Sequence, residues 1–192
     1  MTNLDLFESD NSDAALQQVH QRDDRVSGFF GPYRFLSNFW DAPVTLDGVT
    51  YPSVENAYQA AKTVAAHREQ FVHCTPGQAK RLGRGVPMRR DWDAVKLEVM
   101  GELVRQKFAP GSALSMQLLA TAGLNLVEDN TWGDRFWGQC KGAGHNHLGR
   151  LLMGVREKLP APEHVQVPEH TVAPPTLPLA PLTKPKFRFR GS

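Results

Sequence analysis

Apolar positions recur along the middle of the chain with two periods, and the change from one to the other marks the elements. Val26 to Phe30 and Val44 to Tyr51 carry the β-branched and aromatic runs of short strands, the second interrupted by Asp47-Gly48, a two-residue hairpin signal. After Pro52 the period becomes helical: Val54, Tyr58, Ala61 and Ala65 share a side, with Ser53 as the cap. A second helix is expected from Thr75-Pro76, where threonine caps and proline takes the first helical position, to Gly83 through Gly85. Asp91 opens a longer one. Trp92, Val95, Val99 and Leu103 share a face there, and Leu97, Met100, Val104 and Phe108 widen it enough to imply burial on more than one side. Ser112 to Ala120 fits a fourth helix, Leu124 to Glu128 alternates briefly as a strand, and a last helix runs from Asn146 to Leu159. The expected fold class is α+β, a helix-dominated single domain with a small antiparallel sheet.

The pattern fails at both ends. Residues 1–26 hold six acids against two arginines and few large apolar residues, the composition of a loosely held acidic arm. Residues 160–185 hold eight prolines and three charged residues, which suits an extended linker rather than a helix or a ladder. The tail, 160–192, closes on Lys184-Pro-Lys-Phe-Arg-Phe-Arg190, a basic tip interleaved with aromatics that fits either a nucleic-acid contact or a solvated terminus. The globular domain is then 27–159, long enough for one buried core.

Charge and cysteine content narrow the classes. The formal charge of +2 hides a gradient: −4 in the arm, +4 in residues 27–159, and +4 at the tip. The partner of the folded part is therefore expected to be anionic. Cys74 and Cys140 make neither a disulfide framework nor a Cys-x-x-Cys pair and fit a reducing, cytoplasmic setting. No apolar run approaches about 18 residues and the start is acidic, so neither a membrane span nor a secretory signal is expected.

Chemistry concentrates at a few positions. Glu55 and Lys62 lie within about 20° of each other on the first helix, with Gln59 between them, an arrangement that suits an active-site edge or a surface ion pair. Lys80, Arg81, Arg84, Arg89 and Arg90 place five cations within eleven residues, fit for phosphate or for a solvated turn. The Gly142-Ala-Gly144-His-Asn146 start of the last helix offers backbone amides to an anion, though without a Walker or dinucleotide fingerprint. Asp134, between Trp132 and Trp137, either supports an oxocarbenium-like centre or bonds the amides of its own turn. Trp92 suits the core on spacing. His145 and His147 stand two apart with no third ligand nearby, so no metal site is expected. No nucleophile elbow is present. Glu55 and Asp134 remain as a carboxylate pair, with Lys62 on the first acid's stripe. Such a set fits cleavage of a glycosidic bond, and a neutral Lys62 amine could also attack an opened sugar aldehyde to form a Schiff base.

Phe35-Leu-Ser-Asn-Phe39, Ser53-Val-Glu-Asn-Ala-Tyr-Gln-Ala-Ala-Lys62, Arg81-Leu-Gly-Arg84 through Arg90-Asp-Trp-Asp-Ala-Val-Lys96, and Trp132-Gly-Asp134 leading to Asn146-His-Leu-Gly149 together resemble the NADAR family, also called YbiA-like. The resemblance spans about residues 27–159. It implies an N-glycosidase acting on a ribosyl C1–N bond without a cofactor. Members of the family remove ADP-ribose from modified guanine or hydrolyse phosphorylated ribosylamino intermediates of riboflavin synthesis. Carried over by position, it implies Glu55, Lys62 and Asp134 as catalytic residues. Asn38, Phe39, Gln59, Arg81, Arg84, Trp92, Trp132, Gly144 and Asn146 would bind substrate, with Trp92 as the aromatic platform. His147 stands where some relatives have arginine. The expected partner is an ADP-ribosyl or ribosyl-phosphate substrate, with ADP-ribosylated DNA as a further one. The alternative of another class is a non-catalytic ADP-ribose or nucleotide-binding module.

Overall fold

A computed structural model describes residues 24–161. The acidic arm up to residue 23, and the proline-rich tail with its basic tip beyond residue 161, lie outside the described residues. Ser53 starts the central helix, α1 (Val54–Ala61), with its Oγ accepting from the Asn56 amide at 3.2 Å. Every residue of α1 is buried, including Glu55, Asn56 and Gln59. Ala57, Ala60 and Ala61 are small enough to let neighbouring segments come close, and the polar residues must then find partners inside. Asn56 does so by donating from Nδ2 to the carbonyls of Phe71 at 2.8 Å and Cys74 at 2.7 Å. One side chain thus fixes the segment that leads into α2 (Pro76–Leu82). That helix carries a capping box: Thr75 Oγ1 accepts from the Gln78 amide, and Gln78 Oε1 from the Thr75 amide.

α3 (Trp92–Lys107) packs against α1 and buries Trp92, Met100, Leu103 and Val104. α4 (Ala113–Leu119) and α5 (His147–Lys158) complete the helices, with Leu148 and Leu152 of α5 in the same core. Three single-turn or two-turn 3₁₀ segments, Gly31–Leu36, Ala65–His67 and Glu69–Phe71, fill the connections. The strands are short. β2 (Val44–Leu46) and β3 (Val49–Tyr51) form the expected antiparallel hairpin, with Asp47 and Gly48 both at positive φ in the turn. Two further ladders are parallel: β1 (Arg25–Ser27) on β4 (Asn125–Val127), and β5 (Asp129–Asn130) on β6 (Gln139–Cys140). The architecture is α+β and helix-dominated, with small sheets at its edge.

Two boundaries differ from the pattern. The first strand ends at Ser27 because Gly28 turns the chain at φ +76°, and it begins at Arg25, inside the segment assigned to the arm. Buried Val26 and the Asp24 carbonyl, which accepts from the Asn125 amide, hold that stretch in the fold. No described helix is long and apolar enough to cross a membrane.

Lys107 at the end of α3 is 4% exposed, and its Nζ donates to the Ser37 carbonyl at 2.7 Å. Burial pulls its amine down to about 7. Two outcomes follow. Replacing Asn56 by Ala removes the amide donor of the Phe71 and Cys74 carbonyls and is expected to lower unfolding stability by about 2–4 kcal/mol, measured by denaturant titration. The cost of burying the Lys107 ammonium is present in full below about pH 7 and is relieved as pH rises towards the free value of 10.5. Relative to K107M, the native chain should therefore gain stability between pH 7 and 9, by up to about 1.4 kcal/mol per pH unit.

Candidate active site

The loop Phe35-Leu-Ser-Asn-Phe39 is tied to the helices from two sides. The Glu55 amide donates to the Asn38 carbonyl at 3.0 Å, and Lys107 holds the carbonyl of Ser37. Between this loop, α1, α2 and the segment after β4 lies a cavity of about 500 Å³. Its chemistry comes from Glu55, Gln59, Glu128, Asp129 and Asp134, with Arg34 and Lys80 as cations.

Glu55 is 6% exposed, and its Oε1 accepts from Gln59 Nε2 at 3.0 Å, one turn on. Burial pushes its carboxyl above the ordinary range; the Gln59 bond and the Lys80 and Lys62 ammoniums work against that, and Asp134 adds to it. Gln59 lies against α2's end: a Cβ on residue 83 would sit 1.9 Å from Gln59 Oε1, so a larger residue there would displace the Gln59 side chain.

Asp134 is built by its own loop. Its Oδ1 accepts from the amides of Phe136 at 3.0 Å and Trp137 at 2.9 Å, while Asn130 bonds its backbone on both sides. It makes the turn bonds and also lines the cavity, so the two alternatives left by the sequence hold together. Trp137 packs edge-on against Tyr58 at 5.4 Å, and Tyr58 packs against Trp92 at 4.9 Å. Burial raises the Tyr58 phenol well above its usual value.

Glu128 sits where β4 gives way to the glycine-rich loop. Its amide donates to Asn146 Oδ1 at 3.0 Å and its carbonyl accepts from the Gln139 amide at 2.8 Å. Burial pushes its carboxyl up to about 7, with Asp134 and Asp129 acting the same way against Lys80. At the opening, Lys80 Nζ lies 5.6 Å from the Phe39 ring centre and 5.7 Å from that of Trp132, which is 64% exposed.

Of the residues expected from sequence, Asn38, Phe39, Glu55, Gln59, Trp132 and Asp134 meet on this cavity. The others stand elsewhere. Lys62 Nζ donates to the Gly83 carbonyl at 2.7 Å and is not on the wall, and the amine that is there belongs to Lys80. Arg81 and Arg84 are exposed on the far side of α2's end. Trp92 is 5% exposed, behind Tyr58, because the helix start that carries it faces the core. Gly144 is a packing position, since a Cβ there would meet the Gly138 carbonyl at 2.3 Å. Asn146 adopts a left-handed conformation and clamps Leu126 and Glu128 from within the fold. The start of α5 does not offer its amides to an anion: those of His145, Asn146, His147 and Leu148 donate to the carbonyls of Arg135, Gly138, Phe136 and Trp137. Sequence reasoning passed over Arg34 and Glu128, and placed Tyr58 in the core alone. Glu128 had one usable signal, an acid directly after the apolar pair Leu126-Val127 and before the glycine-spaced loop. Among the described residues no three His, Cys, Asp or Glu side chains are grouped to hold a metal ion.

The chain is 38% identical over 148 residues to N-glycosidase YbiA of Escherichia coli (strain K12), covering 73% of this chain and 92% of that protein. It is 38% identical to an N-glycosidase of Nostoc punctiforme, covering 67% of this chain and 86% of that protein. A riboflavin biosynthesis protein of Vibrio vulnificus is 41% identical over 130 residues, which are 65% of this chain and 35% of the longer relative. The NMR structure of E. coli YbiA superposes with a TM-score of 0.60 at 37% identity, over 71% of this chain and 89% of that one. The NADAR domain profile matches residues 24–160, the whole of the described fold but its last residue, and the chain belongs to the NADAR domain family.

Proposed function

We propose that this chain is a hydrolase of N-glycosyl bonds that cleaves a ribosyl C1–N bond, and that its substrate is ADP-ribosylated guanine, free or in DNA. The observation that carries the reading is the convergence of Glu55 and Asp134 on one aromatic-mouthed cavity, with the first acid desolvated and the second fixed by two amides. Two curated relatives named N-glycosidases support the bond type. In this scheme the base lies against Phe39 and Trp132 and the phosphates meet Lys80 and Arg34 at the opening. The ribosyl carbon then reaches the carboxylates. Developing positive charge at C1 is stabilised by the two acids in a medium of low dielectric, where such interactions count for most. Water attacks C1 from the side they define. Lys62 enters the chemistry by leaving Gly83; as it stands, it braces that glycine against Gln59. The free thiols Cys74 and Cys140 agree with a cytoplasmic location.

A second substrate class has its own support. Relatives named riboflavin biosynthesis proteins, from Vibrio vulnificus and Zea mays, are 41% and 38% identical over the matched residues. Phosphorylated ribosylamino-pyrimidines present the same features of anion, ribose and flat ring. Purified protein should be given an ADP-ribosylated guanine oligonucleotide and a ribosylamino-pyrimidine phosphate, with the released base identified by mass spectrometry. Release of guanine with kcat/KM at least about tenfold higher supports the first class, and the reverse ranking replaces it with the second. Binding of either without release makes the chain a binding module.

Glu55→Gln and Asp134→Asn are each expected to lower kcat/KM by about 10²–10⁴ while the circular dichroism spectrum is unchanged. Full activity in both variants would remove the carboxylate pair from the mechanism. Lys80→Met should act chiefly by raising KM, since its ammonium is placed to hold the anionic part of the substrate.

A further inference from the structure

Resting on the N-glycosidase reading above, we propose that Glu128 is the acid that protonates the departing base nitrogen. Its position is set by backbone rather than by side-chain packing. The Glu128 amide bonds Asn146 Oδ1, its carbonyl receives the Gln139 amide, and residue 138 must be glycine because a Cβ there would lie 2.1 Å from that carbonyl. Glu128 therefore lines the cavity from a fixed backbone origin.

Its bonding pattern separates it from the other three acids, of which Asp129 Oδ2 accepts from Ser27 Oγ at 2.9 Å. Asp134 Oδ1 takes two amide N–H groups and Glu55 Oε1 takes the Gln59 amide, donors that favour a carboxylate. Glu128 Oε2 is buried with no hydrogen-bond partner among the described residues. A buried carboxyl without a donor is better off neutral, and a neutral carboxyl supplies its own donor. The groups that share its cavity are Glu55 from α1, Lys80 from α2, Arg34 from the 3₁₀ turn, and Asp129 and Asp134 from its own strand and loop. Three acids against two cations favour the proton, and burial brings the group up to about 7, the range in which an acid catalyst at neutral pH transfers a proton best.

As the C1–N bond breaks, its electron pair goes to the base nitrogen, which takes the Glu128 proton. Water then adds oxygen to C1 and gives up one proton to the wall carboxylates, from which Glu128 is reprotonated. The net reaction adds OH to the sugar and H to the base.

The test compares two leaving groups. Wild type and E128Q are assayed on an ADP-ribosylated guanine oligonucleotide, a ribosylamino-pyrimidine phosphate and 4-nitrophenyl β-D-ribofuranoside 5-phosphate, whose phenolate departs without a proton. E128Q is expected to lose about 100-fold or more in kcat/KM on the N-linked substrate and less than about fivefold on the nitrophenyl compound. The fall of wild-type kcat/KM above about pH 7 should be absent from E128Q and retained, at lower rate, in E128D. Equal losses on both leaving groups, or none, overturn the assignment while leaving the N-glycosidase reading intact. A wild-type chain that releases base from neither N-linked substrate overturns both. Should E128Q fail to fold, E128D alone decides: a loss equal on both leaving groups overturns the role, and a larger loss on the N-linked substrates supports it.

Discussion

The constraint on which the rest depends is the complete burial of α1. A helix of eight residues has too few turns to be stable by itself and must be held by packing, and this one is packed on every side. Its apolar and alanine positions serve the core, but Glu55, Asn56 and Gln59 go inside with them. Each polar group then needs a partner or a task. Asn56 is satisfied structurally, by the carbonyls of Phe71 and Cys74. Glu55 and Gln59 satisfy each other in part and face the cavity with the remainder. The same burial that closes the core therefore desolvates the acid, so site and fold cannot be separated along this helix.

Much of that was legible in the residues. Ser53, the Thr75-Pro76 start, the Asp47-Gly48 turn and the long apolar face of α3 depend on local chemistry, and local chemistry is written in order along the chain. Glu55, Gln59 and Asp134 were found because helix period and aromatic framing are local too. Lys62 and Lys80 show where such reasoning stops. Both are lysines near the same acid, and which amine reaches the cavity depends on where α2 ends against α1, a contact between segments about twenty residues apart. Trp92 is buried as its helical spacing suggests, and Tyr58 from another helix is what it packs against. Glu128 is set by pairing across β4, β5 and the start of α5, in strands of two or three residues too short to leave a period.

The start of α5 illustrates how a plausible local feature is used up by tertiary structure. Glycines before a helix and a free dipole end describe an anion site well. Here four successive amides are occupied by the carbonyls of residues 135–138, the loop that carries Asp134. The helix end is thus an anchor for the loop that carries Asp134, and Asn146 extends the anchor to Glu128. Two of the four cavity acids, Glu128 and Asp134, are thus held by way of one helix terminus.

An acidic cavity and an anionic substrate look mismatched until depth is considered. Burial pushes the Glu128 carboxyl towards its neutral form, which lessens the repulsion a phosphate would meet. Lys80 stands near two aromatic rings, so in the proposed scheme it meets the phosphates while the rings accept flat groups. In the scheme proposed above the substrate is sorted along the cavity by polarity, anion outside and ribosyl carbon within. Charge developing at that carbon is what the inner acids can stabilise, and it exists only as the bond breaks. A site of this kind binds its ground state through the mouth and its transition state through the floor, which is the division that favours turnover over retention.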